Sequence, residues 1–372
     1  MKIPNGYEII QLFEQFAPKR LAMEGDKIGL LVGSLNQPIK NVLVALDVTE
    51  EVVDEAIEKD VQLIISHHPL IYSPLKTIRT EDAYGKIITK LIKHDIAVYA
   101  AHTNLDVATG GVNDLLADRI GLKNTEVLVP TYEESLKKLV VYTPKDASES
   151  VRNALGDAGA GFIGNYSHCS FTASGIGRFL PGENTNPYIG QVGKLEEVNE
   201  ERIETVFPEN LERKVLKAMY QAHPYEEPAF DIYPLHIKGE TFGLGRIGYL
   251  EKEITLKDFA TYIKNVLDVN GVRVVGNLDD KIKKVAILGG DGGKYYKTAI
   301  FKGADVFITG DLYYHTAIDA KLDGLNIIDP GHNIEKVMKE GVAHKMMELS
   351  NQENYQVNFI PSSINTEPCQ FI

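Results

Sequence analysis

Residues 42–69 read VLVALDVTEEVVDEAIEKDVQLIISHHP. Val42-Leu43-Val44-Ala45-Leu46 is an unbroken apolar run of strand length. Val52, Val53, Ala56 and Ile57 then recur at helical spacing, and residues 61–65 form a second apolar run. A strand with no polar alternation offers no face to water, so its sheet must be covered on both sides, and a helix between two such strands supplies one cover. The fold class is therefore α/β.

The same style continues on either side. Ile9, Leu12, Phe13 and Phe16 stripe an amphipathic helix. Downstream come a helix with Tyr84, Ile87, Ile88 and Leu91 on one face, a strand at 96–101, and a helix marked by Val112, Leu115 and Leu116. From about residue 239 the pattern returns: Phe259, Tyr262, Ile263 and Val266 on a helix, and strands at 285–288, 306–309 and 325–328. Each outer half places polar residues directly after an apolar strand, the pattern of two distant structural duplicates.

Between them the order changes to a strand at 139–142, a helix at 148–158, a two-strand stretch at 161–178 and a strand at 202–206. A helix carrying Leu211, Val215, Leu216 and Met219 and a strand at 229–235 follow. With one strand more, that order follows β-α-β-β-α-β, the ferredoxin-like pattern. The chain thus reads as a mixed α/β core, residues 1–130 and 239–372, interrupted by a ferredoxin-like insert at 131–238. The loop FLPGENTNPYIGQVG (179–193) is rich in Gly, Pro and Asn and should be exposed.

The chain has 372 residues, 44% hydrophobic and 24% charged, enough for a sizeable core in two or three domains. Two cysteines, Cys169 and Cys369, give neither a zinc ribbon nor a disulfide framework, which points to a reducing, cytoplasmic setting. Glu8 and Glu14 interrupt any signal-peptide core, and no uncharged apolar run approaches the roughly 18 residues of a membrane span. A net charge of −13 repels phosphate backbones and argues against general nucleic-acid binding.

Three motifs carry candidate chemistry. His67 and His68 follow a buried strand and precede Pro69, which stops it, so both imidazoles fall at a carboxyl strand end, where ligands gather in open α/β sheets. Adjacent side chains diverge, so the pair suits two neighbouring metals better than one; alone, it reads as two hydrogen-bonded loop histidines. In AVYAAHTNLDVATGG a strand ends near Ala101, and His102, Asn104 and Asp106 fall in a short polar loop. Asp106 reads equally as a ligand and as a helix cap. In NIIDPGHNIEKVMK, His332 and Glu335 stand three residues apart on one face of a first helical turn, where a carboxylate can bridge two ions. Glu335 also reads as a carboxylate favouring the helix dipole. Taken together, three histidines and two carboxylates at carboxyl strand ends point to a dinuclear metal site, zinc first, with iron and manganese also suited.

Other features are less specific. LGGDGGKYY (288–296) is a glycine-rich turn beside Lys294; it matches no phosphate-loop motif and reads as a tight structural turn. Asp311 and His315 follow the strand ADVFI at i, i+4, which makes His315 the candidate catalytic proton carrier or equally a surface histidine. His223, Glu226 and Glu227 in HPYEEP read as packing rather than as a second metal site.

The pieces SHHP (66–69), AHTNLD (101–106) and DPGHNIE (329–335), with DKIGLLVG (26–33) and VALDVT (44–49), resemble the Nif-three-like family, whose members are often labelled GTP cyclohydrolase I type 2 homologs. The resemblance covers both outer segments. It implies that His67 and Asp106 hold one metal, His68 and His332 the other, and that Glu335 bridges them. Members often carry a Trp ahead of the DxxGL segment; this chain has none. The middle segment, with HPYEEPAFDIYPL (223–235), is similar to the CutA/PII-like fold inserted in longer members. The resemblance also implies a homo-oligomer, a hexameric ring. Two function classes follow: a metal-dependent hydrolase of a nucleotide-like or phosphate-bearing small molecule, or a non-catalytic metal-binding or metal-transfer protein with the insert as sensor or gate.

Overall fold

The computed structural model describes residues 2–372. Its elements run α1 (Gly6–Phe16), β1 (Gly29–Val32), β2 (Asn41–Ala45), α2 (Glu50–Glu58), β3 (Leu63–Ser66), α3 (Ala83–Lys93), β4 (Ala97–Ala100), α4 (Thr103–Val107), α5 (Val112–Arg119) and β5 (Lys123–Pro144). Then come α6 (Ser148–Asp157), β6 (Ser170–Phe179), β7 (Glu196–Pro208), α7 (Glu212–Ala222) and β8 (Phe230–Thr255). The chain closes with α8 (Leu256–Val266), β9 (Arg273–Val275), β10 (Lys281–Asp291), α9 (Tyr296–Phe301), β11 (Val306–Gly310), α10 (Tyr314–Leu322), β12 (Asn326–Asp329), α11 (Val337–Gln352) and β13 (Asn358–Pro361). These form mixed sheets, and the chain divides into two compact units, Met1–Tyr132 with Phe242–Ile372, and Glu133–Thr241.

In the larger unit, one sheet has the order β1-β4-β3-β2-β13. β2, β3, β4 and β13 are parallel, so the carboxyl ends of β2, β3 and β4 share one edge. β1 closes the sheet antiparallel to β4. A second set of strands runs β8-β10-β11-β12-β9, with β10, β11 and β12 parallel. Val42, Val44, Leu63, Ile65 and Tyr99 of the first sheet share a core with Val285, Ile287, Val306 and Ile308 of the second. The outer face of the first sheet packs Leu43, Ile64 and Val98 against Val52, Val53, Ile88 and Leu91 of α2 and α3. Both faces are covered, as unbroken apolar strands require.

The smaller unit has its own core: Leu139, Val141, Val151, Leu155, Ile203, Phe207, Val215 and Met219. Its strands lie in the order β6-β7-β5-β8, with β7 antiparallel to both neighbours. Numbering the four in chain order gives 2-3-1-4, and α6 packs on α7. Residues 161–178, expected to hold two strands, hold one. Gly161, Gly164 and His168 adopt left-handed backbone conformations there, which break an extended run. His223 is buried with both ring nitrogens satisfied by backbone: Nε2 donates to the Tyr142 carbonyl at 2.9 Å and Nδ1 accepts from the Tyr225 amide at 3.1 Å. Among the described residues, no helix is long and apolar enough to cross a membrane.

Candidate metal centre

The sequence candidates meet within the larger unit. His67 and His68 extend β3, and their amides still donate to the carbonyls of Ala45 and Leu46, which fixes both at the strand's carboxyl end. Asp106 lies in the short helix α4 rather than in a loop. Three hydrogen bonds to residues distant in sequence hold that helix. Asp26 accepts from the Thr103 amide at 3.0 Å and from its hydroxyl, and the Asn104 side chain donates to the Ala17 carbonyl at 2.8 Å. His332 and Glu335 begin a 3-10 turn, His332–Lys336. Side chains three apart eclipse in that geometry, so the two stack on one side. Asp329 sets the turn, accepting from the Leu312 and Gly331 amides at 3.1 and 2.9 Å.

Glu335 is the hub. One of its oxygens, Oε2, stands 3.6 Å from His67 Nε2, 3.1 Å from His68 Nε2 and 3.2 Å from His332 Nε2. Asp106 Oδ1 is 3.5 Å from His67 Nε2. Two sets of donor atoms result, each close enough to hold one ion: His67, Asp106 and Glu335, and His68, His332 and Glu335. The first set is buried throughout; in the second, His68 and His332 are half-buried.

Each imidazole is held from behind. His67 Nδ1 donates to the Ala101 carbonyl at 2.9 Å, His68 Nδ1 meets Asp47 at 2.7 Å, and His332 Nδ1 meets Asp311 at 2.7 Å. That arrangement fixes the ring and leaves Nε2 facing inward, as metal-binding histidines require. The fit to a metal shows most directly in what lacks a partner. His67 Nε2 and Asp106 Oδ1 are fully buried and accept no hydrogen bond. A buried polar atom without a partner costs about 1–3 kcal/mol. Two of them side by side fit a group of donors that could hold a cation.

The glycine-rich turn makes room for this hub. A Cβ on Gly290 would lie 2.7 Å from Glu335 Oε1, and one on Gly289 would lie 3.1 Å from it. Thr309 pins the turn, accepting from the Gly292 amide at 2.8 Å and donating to the Gly290 carbonyl at 3.1 Å. Lys294 leans over the Tyr295 ring.

His315 is not brought to the cluster. α10 starts only at Tyr314, and Asp311 has a left-handed backbone (φ 50°), so Asp311 and His315 share no helical face. Asp311 turns to His332 instead, while His315 is exposed against the Tyr314 ring. Sequence reasoning passed over Asp26 and Asp47 as positioning residues and paired Asp311 with His315 rather than with His332. For Asp47 and Asp311 the available signal was an aspartate just past an apolar strand.

A cavity of about 930 Å³ opens on the half-buried set, lined by His68, His102, Asp311 and His332, with Arg273 and Lys336 as its cations and residues 365–371 on another side. Thr366 in that tail donates its hydroxyl to Asp47.

The charges are strongly coupled. Burial works to lower His68, but its bonds to Asp47 and Glu335 outweigh this and hold the ring up to about 10. The Glu335 carboxylate, with Asp311, holds His332 up to about 9. Burial would raise Glu335; the imidazoles of His67, His332 and His68 outweigh it and hold the carboxyl well below its usual range. Burial pushes Asp106 up. With raised values, His68 and His332 keep their protons at pH 7 in the metal-free protein, and an incoming cation must displace them. Metal affinity should therefore rise with pH through the neutral range, by about tenfold per pH unit for each proton displaced. Calorimetry in buffers of different ionisation enthalpy should register the proton release. Affinity independent of pH would contradict it.

The match to known proteins extends over nearly the whole chain. The family model Duf34/NIF3 (NGG1p interacting factor 3) matches residues 4–368. A protein of Bacillus subtilis called GTP cyclohydrolase 1 type 2 homolog is 59% identical over 371 residues, with all of both chains covered. One of the same name from Halalkalibacterium halodurans is 58% identical over 372 residues, again covering both chains in full. Among solved structures, a Bacillus cereus protein related to NIF3 superposes with a TM-score of 0.96 at 61% identity, covering all of both chains. The chain belongs to the Duf34/NIF3 family.

Proposed function

We propose that this protein holds two divalent metal ions, one among His67, Asp106 and Glu335 and the other among His68, His332 and Glu335, and uses them to hydrolyse a phosphate-bearing small molecule. One observation carries the reading: the buried, unpartnered His67 Nε2 and Asp106 Oδ1 lie 3.5 Å apart beside a carboxylate that reaches three imidazoles. Imidazole and carboxylate together suit zinc first, with iron and manganese next. When bound, such a pair of ions lowers the pKa of water and stabilises negative charge developing on oxygen.

The chain's own residues supply the rest. The cavity of about 930 Å³ is of the size that takes a small molecule. Arg273 keeps most of its side chain exposed while paired with Asp329, and Lys336 stands nearby, so the wall offers positive charge to a phosphate. The names of the relatives make a guanine nucleotide the first compound to test. His315 is left out, since its ring sits at the surface of α10; His315→Ala is expected to change neither metal content nor turnover.

The test is to load the protein with zinc or manganese and screen nucleotides and phosphoesters. Turnover should vanish on chelation and return on reloading. No turnover on any compound would favour metal transfer, a reading with one observation of its own: the His332 side chain is 38% exposed, so an ion there is open to exchange.

The unit Glu133–Thr241 is proposed as a CutA/PII-like module, supported by its strand order, and the assembly as a hexameric ring. All five proposed ligands lie outside that unit. Replacing residues 133–241 by a short linker should leave a folded protein that still binds two ions. A folded deletion protein without metal would contradict the division of labour.

A further inference from the structure

The segment after β13 has no regular structure, yet its first part is tied down residue by residue. The Ser362 amide donates to the Val44 carbonyl at 2.8 Å, and its hydroxyl donates to Glu55 of α2. Glu55 also accepts from the Ser363 amide and hydroxyl, at 2.8 and 2.6 Å. Lys339 of α11 donates to the Ile364 carbonyl at 3.1 Å. The Thr366 hydroxyl donates to Asp47, the same carboxylate that meets His68 Nδ1. Past Thr366 the ties change. The Cys369 amide bonds only within the segment, to Glu367 at 2.9 Å, and among the described residues no hydrogen bond follows it. The next contact is with a different part of the fold. A Cβ on Gly271 would lie 2.7 Å from two atoms of the Phe371 ring, so the ring rests on bare backbone between α8 and β9. Val269, Asn270 and Arg273, on either side of Gly271, line the same cavity as residues 365–371. The segment therefore runs along the cavity from Asp47, behind His68, to the loop that leads to the cavity's arginine.

We propose that residues 366–371 are a strap that closes this cavity, tied at Thr366 and latched by Phe371 on Gly271, and that a small molecule enters when the latch lets go. Buried carboxylates and backbone hold one side of the strap; on the other side a single ring, 57% exposed, does so. A stretch with few buried contacts opens at the lowest cost, which places the moving part beyond Cys369 and the hinge at residues 366–369. Closing such a segment over a site shuts out water and retains what is bound. The inference rests on the proposed role of the cavity as the substrate site and adds how that site is entered.

The chain has no tryptophan, so Phe371→Trp places a single reporter on the latch. The test is the fluorescence anisotropy of that reporter in the full-length protein, beside the rate at which the chelator pyridylazoresorcinol strips zinc from zinc-loaded protein. Gly271 lies outside the left-handed region, so Gly271→Ala acts through the ring it displaces. In the reporter protein it should lower the anisotropy. In the parent chain it should release the first zinc about fivefold faster, the effect of uncovering a half-covered phenyl ring. Phe371→Ala should speed zinc release to the same degree, and the two together no further, because both break one contact. Ile372→Ala, at a fully exposed neighbour, should change nothing. If Gly271→Ala does not fold, Phe371→Ala set against Ile372→Ala carries the same expectation for zinc release. Unchanged anisotropy in a folded Gly271→Ala protein, or effects of the two variants that add in full, would overturn the latch. Anisotropy that falls while zinc leaves no faster would overturn the closing of the cavity. Wild type that binds no zinc would overturn the two-metal reading, which the anisotropy, needing neither metal nor substrate, keeps distinct from failure of the strap.

Discussion

Glu335→Ala should lose both metal ions, whereas His67→Ala should empty mainly one position. Glu335 alone belongs to both donor sets, and one of its oxygens stands 3.1–3.6 Å from three imidazoles. Removing it takes away a shared ligand and the negative charge that offsets two cations in a buried place. Loss of a mere outer partner of a metal ligand typically costs on the order of 10- to 100-fold in affinity, so loss of the bridge should exceed that at both positions. Without the carboxylate, His68 and His332 should also titrate lower than about 10 and about 9, since Glu335 contributes to raising both. Elemental analysis of purified protein and NMR titration of the histidines would read the two effects. Equal metal content in wild type and Glu335→Ala would remove Glu335 from the site.

Gly290→Ala should be almost as damaging, by a purely steric route. Gly290 adopts φ +64°, where a side chain costs about 1–2 kcal/mol. Its Cβ would also lie 2.7 Å from Glu335 Oε1 and 3.2 Å from His332 Nε2, two proposed ligands. Glu335 is buried and cannot swing away, so the turn or the ligand must shift. Metal affinity should fall by at least about tenfold, with a drop of a few degrees in Tm. Gly324→Ala is the matched control: Gly324 has φ +84° and nothing within 4 Å of the added carbon. It should incur the strain and keep its metal. Equal metal affinity in the two variants would show that the glycine turn serves only the backbone.

The site was legible because its parts sit where buried strands end. β2, β3 and β4 are short and apolar but for Asn41 and Ser66, and Asp47, His67 with His68, and His102 stand within two residues of their ends. Parallel pairing then brings those ends to one edge without further information. Less legible were elements whose existence depends on distant partners. β1 and β13 are four residues each and are made by pairing with β4 and β2, the latter more than 300 positions away in sequence. β5 and β8, of 22 and 26 residues, alternate between core and solvent over part of their length only, so no single period marks them. α4 is too short for propensity to decide; Asp26, 77 residues before Thr103, makes it a helix. His315 misled because a left-handed residue at Asp311 delays the helix and re-aims the aspartate, and spacing alone does not reveal such a break.

Five side chains from three separate motifs are proposed to hold two ions. Anomalous diffraction at the metal edge, from crystals of zinc-loaded protein, tests it most directly. Two peaks per chain are expected, one contacting His67, Asp106 and Glu335, the other contacting His68, His332 and Glu335. A single peak, or peaks that leave His67 Nε2 and Asp106 Oδ1 without a metal neighbour, would contradict it.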